Sequence, residues 1–319
     1  MGKFKNSFKK SFAGSVMLFL AALIWGLAFV AQSEGAKHIG AFTFNGVRFV
    51  IGVITLIPCI FLLDNIRKNG RHLVSVSDRR LKIGITRDEW IGGIVCGAVL
   101  CVATVLQQFG VELIGSGKSG FLTSIYVVLV PITGIFFRRR VRLPIWLGVL
   151  AALVGVYFIS VPKGEVFSLG RGEIFVILSS LVFTLHILVV DRVVEKCDGV
   201  RISMLQFASA AVFALPGMLI IERPELADIA SAAIPLLYAG VCSCGIAYTL
   251  QILGQRRTDP TVASLLMSLE SVFSALGGAL ILSERMSLRE YIGCAIVFSA
   301  VIATNLFEGL TRDPLADKK

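Results

Sequence analysis

The chain has 319 residues, of which 55% are hydrophobic and 16% charged, with a formal net charge of +10 and a mean hydropathy of +0.82. So apolar a composition leaves little room for a soluble globular domain once the apolar stretches are set aside. The basic excess falls in short loops and not in one patch, which excludes a reading as a nucleic-acid binder.

About ten apolar stretches of membrane-spanning length follow one another, each ended by a short charged loop. A bilayer core about 30 Å thick takes roughly 20 residues of helix to cross. Every backbone amide inside it must be satisfied within the segment, so these stretches read as helices. The first, Val16–Val30, follows Lys3, Lys5, Lys9 and Lys10. It is too long for a signal-peptide core and lacks a small-residue cleavage pattern, so a retained helix is expected. It carries Trp25, which either walls a cavity or is core packing.

The second stretch opens on Asn45-Gly-Val-Arg48-Phe49. Arg48 lies about one turn below the outer surface and is expected to snorkel to the interface; the alternative is attraction of an anionic group. The longest hydrophilic stretch, Asp64 to Asp88, reads as a loop. The third stretch then brings Gly92, Gly93 and Gly97, small residues that let helices approach closely, as do Gly277 and Gly278 later. Trp90, like Trp146 further on, reads as an interfacial anchor.

In the fourth stretch Ser119, Thr123, Tyr126 and Thr133 share one helical face. Such hydroxyls either line a polar path or bind helices together. Pro131 interrupts the backbone ladder beside them. His186, toward the cytoplasmic end of the sixth stretch, can relay protons or simply be hydrogen-bonded in place. Six cysteines lie in apolar stretches and Cys197 in a loop. Cys242 and Cys244, two apart, diverge on a helix, so small apolar packing is expected there and not a metal site.

Glu270 is the leading functional candidate. It sits about ten residues into the ninth stretch, roughly 15 Å deep at 1.5 Å per residue. A carboxylate at that depth must face the bundle interior or a wet cavity. Met267, Ser271, Ser274 and Gly278 fall near its face. It suits a protonatable coupling site, a partner for a substrate ammonium group, or a neutral interhelical hydrogen bond. The last stretch is Ile292–Leu306.

With the N-terminus taken as cytoplasmic, 23 Lys and Arg fall on the cytoplasmic side and 7 outside, with Arg48 completing the 31. This asymmetry follows the positive-inside rule and places both termini in the cytoplasm. The chain also repeats itself. Ala21 to Leu27 echoes Ser179 to Leu185, pairing Trp25 with Phe183, and Arg48-Phe49 pairs with Gln206-Phe207. Leu106 to Gly110 pairs with Leu250 to Gly254, and Ser119, Val127, Arg140 and Gly148 pair with Ser264, Val272, Arg285 and Gly293. Five spans per half force the second half to enter from the opposite face, so the repeats are expected to be inverted, as in alternating-access carriers. The repeat-related Gln107 and Gln251 then fall near opposite membrane faces, with Tyr248 close to the latter. They read as a possible pair of gating latches or as plain interhelical hydrogen bonds.

At this point the chain resembles the drug/metabolite transporter superfamily, specifically its EamA-type ten-helix exporters. The residues that carry the resemblance are Leu23-Ile-Trp25-Gly26, Asn45 to Phe49, Lys118 to Pro131, Gly148 to Gly155, Ser268 to Phe273, Leu282-Ser-Glu284-Arg285 and Gly293. It extends over roughly residues 12 to 307. Two positions depart from the family: Ser271 stands where proline often follows the glutamate, and Arg139 where a glutamate is common after the fourth span.

The resemblance implies an all-α integral membrane protein of ten transmembrane helices, with five-helix repeats at 12–161 and 172–308. It implies transport of a small metabolite, usually export, across the plasma or inner membrane of a bacterium. The cavity would be lined mainly by spans 1, 3, 4, 6, 8 and 9. Glu270, Trp25, Tyr126, Thr123, His186, Ser274 and Tyr248 are the candidate substrate or coupling residues, and Gln107 and Gln251 the candidate gate. A small molecule, an amino acid or amine first, and the lipid bilayer are the expected partners, with protons as candidate coupling ion and a homodimer as an open arrangement. No nucleic acid, cofactor, metal or enzyme activity is expected: no P-loop, catalytic triad or zinc motif is present. The rival is a non-transporting scaffold or sensor on a carrier fold; a lipid enzyme is weaker still, lacking a nucleophile–base pair.

Overall fold

The computed structural model describes residues 2–69, 84–136, 141–161, 169–281 and 286–311. Most of the expected loop within Asp64–Asp88, the arginine run 138–140, Lys163, Glu284, Arg285 and the basic residues after 311 lie outside them. Among the described residues the regular elements are helices only. They are α1 (Gly2–Gly35), α2 (Ala41–Asn69), α3 (Arg87–Thr123), α4 (Tyr126–Phe136), α5 (Leu143–Ser160), α6 (Arg171–Val193) and α7 (Gly199–Gly217). Then come α8 (Leu226–Ser231), α9 (Ala233–Leu237), α10 (Thr249–Gln255), α11 (Pro260–Met267), α12 (Glu270–Ile281) and α13 (Leu288–Thr311). Wider π-helical turns extend α7 over Met218–Glu222 and join α9 to α10 over Tyr238–Tyr248.

Eight of the described helical stretches are long and apolar enough to cross a membrane, and Tyr126–Phe136 and Leu143–Ile159 are shorter apolar helices. The outer surface matches a lipid solvent: Phe136 is 82% exposed, Ile234 82% and Leu280 84%, an apolar display that water would not tolerate over a whole bundle.

The fourth stretch is short because it starts inside α3. Gly115, with φ 75°, turns the chain there. That left-handed geometry costs glycine nothing and other residues about 1 kcal/mol or more. The helix resumes and then breaks a second time. Ile125 N–H bonds Leu122 O and Val127 N–H bonds Ser124 O, three-residue closures that free the carbonyl of Thr123. Ser180 Oγ donates to that carbonyl at 3.0 Å, so the break stays satisfied away from water.

Between α11 and α12 the same closures recur: Leu269 N–H to Leu266 O and Ser271 N–H to Ser268 O. The two breaks are related by 144 residues, the offset that relates Gln107 to Gln251, and not by the 145 that the alignment of Ser119 with Ser264 implies. They touch each other. The hydroxyls of Ser124 and Ser271 share a hydrogen bond at 2.5 Å, and both reach Gly120 O.

Two apolar clusters flank this centre. One joins α1, α4, α5 and α11 to α13; the other joins α2, α3, α7 and the π-helical Tyr238–Tyr248 segment. Trp25 and Phe183 pack against both. The close approaches use glycine where a side chain has no room. A Cβ on Gly26 would stand 2.3 Å from Phe273 Cβ and 2.8 Å from Glu270 O, which draws α1 onto α12. A Cβ on Gly97 would stand 2.4 Å from Gln206 O, where α3 crosses α7.

Candidate functional site

Between the two clusters lies a cavity of about 490 Å³, counted with its opening. Spans 1, 3, 4, 6, 8 and 9 all contribute to its wall, and α2 adds Arg48. Trp25, Thr123, Tyr126, His186, Tyr248 and Glu270, all singled out from the sequence, converge there.

Glu270 is the first residue of α12, 5% exposed, at the second helix break. Tyr126, the first residue of α4 at the other break, donates its hydroxyl to Glu270 Oε1 at 3.0 Å. The breaks thus set the two side chains against each other, which a pair of continuous helices carrying the same residues would not ensure. Tyr248 gathers an aromatic wall: its ring lies 4.7 Å from that of Trp25, 5.5 Å from Phe207 and 6.2 Å from His186. His186 Nε2 shares a hydrogen bond with Gln206 Oε1 at 3.1 Å, so one ring nitrogen is used structurally and Nδ1 is left without a partner.

Several expectations need correction. Gln107 and Gln251, expected near opposite membrane faces, both line this cavity, and Gln107 Nε2 donates to Thr123 Oγ1 at 3.1 Å. Ser274 is buried but absent from the wall. It lies one turn beyond Glu270 on α12 and faces Gly120, a Cβ on which would lie 3.9 Å from Ser274 Oγ. Of the fourth-span stripe only Thr123 and Tyr126, which flank the break at Ser124–Ile125, reach the cavity.

Arg48 does not snorkel. It is 2% exposed, its Nη2 donates to Asn45 Oδ1 at 2.6 Å, and its guanidinium stands 5.5 Å from the Phe44 ring and 5.3 Å from the Phe49 ring.

The wall also carries unsatisfied polar atoms. Trp25 Nε1, Gln32 Oε1, Arg48 Nε, His186 Nδ1 and Gln251 Oε1 are buried without a hydrogen-bond partner. Buried polar groups are nearly always paired, so donors and acceptors left over in one cavity mark a place for water or ligand.

The EamA-like transporter family model matches this chain twice, over residues 12–161 and 170–306. A protein of Archaeoglobus fulgidus named as an uncharacterized transporter is 29% identical over 296 residues, covering 91% of this chain and 84% of its own. A solved crystal structure, 17% identical, is similar with a TM-score of 0.73 over 94% of this chain and 99% of its own, a likeness of fold alone.

Proposed function

The chain belongs to the EamA-like transporter family and is a multi-pass membrane transporter, and from that premise we propose that it is a secondary carrier that exports a small metabolite. In this reading ten helices form two inverted repeats, 12–161 and 172–308, with both termini in the cytoplasm. The matched helix breaks at Ser124–Ile125 and Ser268–Leu269 support it, because broken helices meeting at a central site are how such carriers present polar groups inside lipid.

The observation that carries the proposal is Glu270, a buried carboxylate held by the Tyr126 hydroxyl at the wall of a central cavity. It offers a negative group to a substrate ammonium, or takes up a proton as coupling ion. Rocking of the repeats would open the cavity toward one side of the membrane at a time.

The test compares culture media from cells producing the wild-type protein, Glu270→Gln, or neither, by untargeted mass spectrometry. A compound enriched outside only with the wild type is expected. Equal enrichment with Glu270→Gln removes the carboxylate from the mechanism, and no enrichment with the wild type removes export.

A further inference from the structure

We propose that Arg48 is an anion subsite of the cavity, so that the substrate is a zwitterion whose carboxylate meets Arg48 while its ammonium meets Glu270. This rests on the carrier reading of the cavity given above.

The guanidinium is always charged, and burying it is costly unless an anion or a full set of acceptors compensates. Here it has one side-chain acceptor, Asn45 Oδ1, and its Nε–H is buried without a partner. No carboxylate of the described residues lies within 4 Å of it, Glu270 included, although both line the same cavity. The rings of Phe44 and Phe49 offset part of the cost through their faces, yet they leave the Nε–H donor unused.

The wall therefore presents one unpaired cation and one carboxyl group, kept apart. Among the described residues, Arg48 and Glu270 are the only Arg, Lys, Asp or Glu in it. One monovalent cation matches a carboxylate better than a dianion, and a zwitterion leaves the loaded cavity electroneutral in the membrane. The same wall holds an unpartnered donor, Trp25 Nε1–H, and unpartnered acceptors, Gln32 Oε1 and Gln251 Oε1, for such an occupant's polar groups. An amine lacking a carboxylate would leave Arg48 unmatched.

The test uses purified full-length protein in detergent. Thermal-shift titrations are run with the twenty standard L-amino acids, their decarboxylated amines and their deaminated acids. At least one amino acid should bind wild type about tenfold or more tightly than both its amine and its acid, the scale of one charge-assisted contact. Arg48→Gln should bring the amino acid down to the level of its amine while leaving the amine's own binding unchanged, and Arg48→Lys should keep part of the preference. A purely structural arginine would weaken amino acid and amine alike.

The assignment is overturned if an amine binds wild type as tightly as its amino acid, if Arg48→Gln keeps the preference, or if no amino acid binds. It is also overturned if neither variant yields monodisperse protein, which would make Arg48 a packing residue. Failure of the carrier reading looks different: no wild-type-dependent accumulation in the medium, whatever the binding ratios. An amine that is bound and exported would leave the carrier standing and remove only the anion subsite.

Discussion

Tyr126 and Glu270 are 144 residues apart in sequence, and the hydroxyl of one bonds the carboxyl of the other at 3.0 Å. Each begins the helix that follows a break, so the bond ties the two broken helices together at the cavity wall. Tyr126→Phe keeps the ring and deletes this bond. A hydrogen bond to a charged group contributes about 1.5–3 kcal/mol to stability, so the melting temperature should fall and transport should fall with it, by about tenfold or more. Unchanged flux of the exported compound would show that the bond is structural only.

The Gly26–Phe273 contact should tolerate no side chain. A Cβ at Gly26 meets Phe273 Cβ at 2.3 Å and backbone atoms of Glu270 and Phe273 at 2.8 Å, and backbone cannot swing aside. Gly26→Val should push α1 off α12, costing about 1–3 kcal/mol as overpacking does and displacing Trp25 from Tyr248. Differential scanning fluorimetry and tryptophan emission check it; a wild-type melt with wild-type emission would contradict the contact.

Glu222 caps a helix from the other half of the chain. Its carboxylate accepts from Phe42 N–H at 2.8 Å, Thr43 N–H at 2.7 Å and Thr43 Oγ1 at 2.5 Å, at the start of α2. Loss of a cap costs about 0.5–2 kcal/mol, and the helix dipole adds to the carboxylate's share. Glu222→Ala should lower stability by that order and speed hydrogen exchange in a peptide spanning residues 41–46. Unaltered protection there would mean that water replaces the carboxylate at no cost.

Cys197 lies outside the spans and is 4% exposed. Burial holds its thiol above the ordinary range, and the nearby charges of Glu89, Asp88 and Asp198 push in the same direction against Lys196. The thiolate is the nucleophile, so a raised pKa lowers reactivity at neutral pH and restores it as pH rises. With the other cysteines replaced, maleimide labelling at pH 7.5 should run several-fold slower than for a free thiol and quicken toward pH 10. Fast labelling at pH 7.5, with no further gain at higher pH, is the opposing result.

Much of this was legible in the sequence alone, and the reason is the solvent. Lipid forces a spanning segment to be apolar and helical residue by residue, so the spans follow from local composition. Glu270 stands out because a carboxylate so deep in a span is costly wherever its neighbours lie. The repetition of Trp25–Gly26 by Phe183–Thr184, and of Gln107 by Gln251, is likewise a property of the string. What a string cannot carry is the identity of the covering neighbour. Helical periodicity says which residues share a face, but a break resets the face. Past Ser124 and past Ser268 the face is set anew, and Tyr126 and Glu270, each opening the next helix, meet at the cavity. Depth in a span likewise cannot tell a snorkelling arginine from a buried one. Only the packing of α2 against its neighbours encloses Arg48, and only the tertiary arrangement brings Gln107 and Gln251 to one wall.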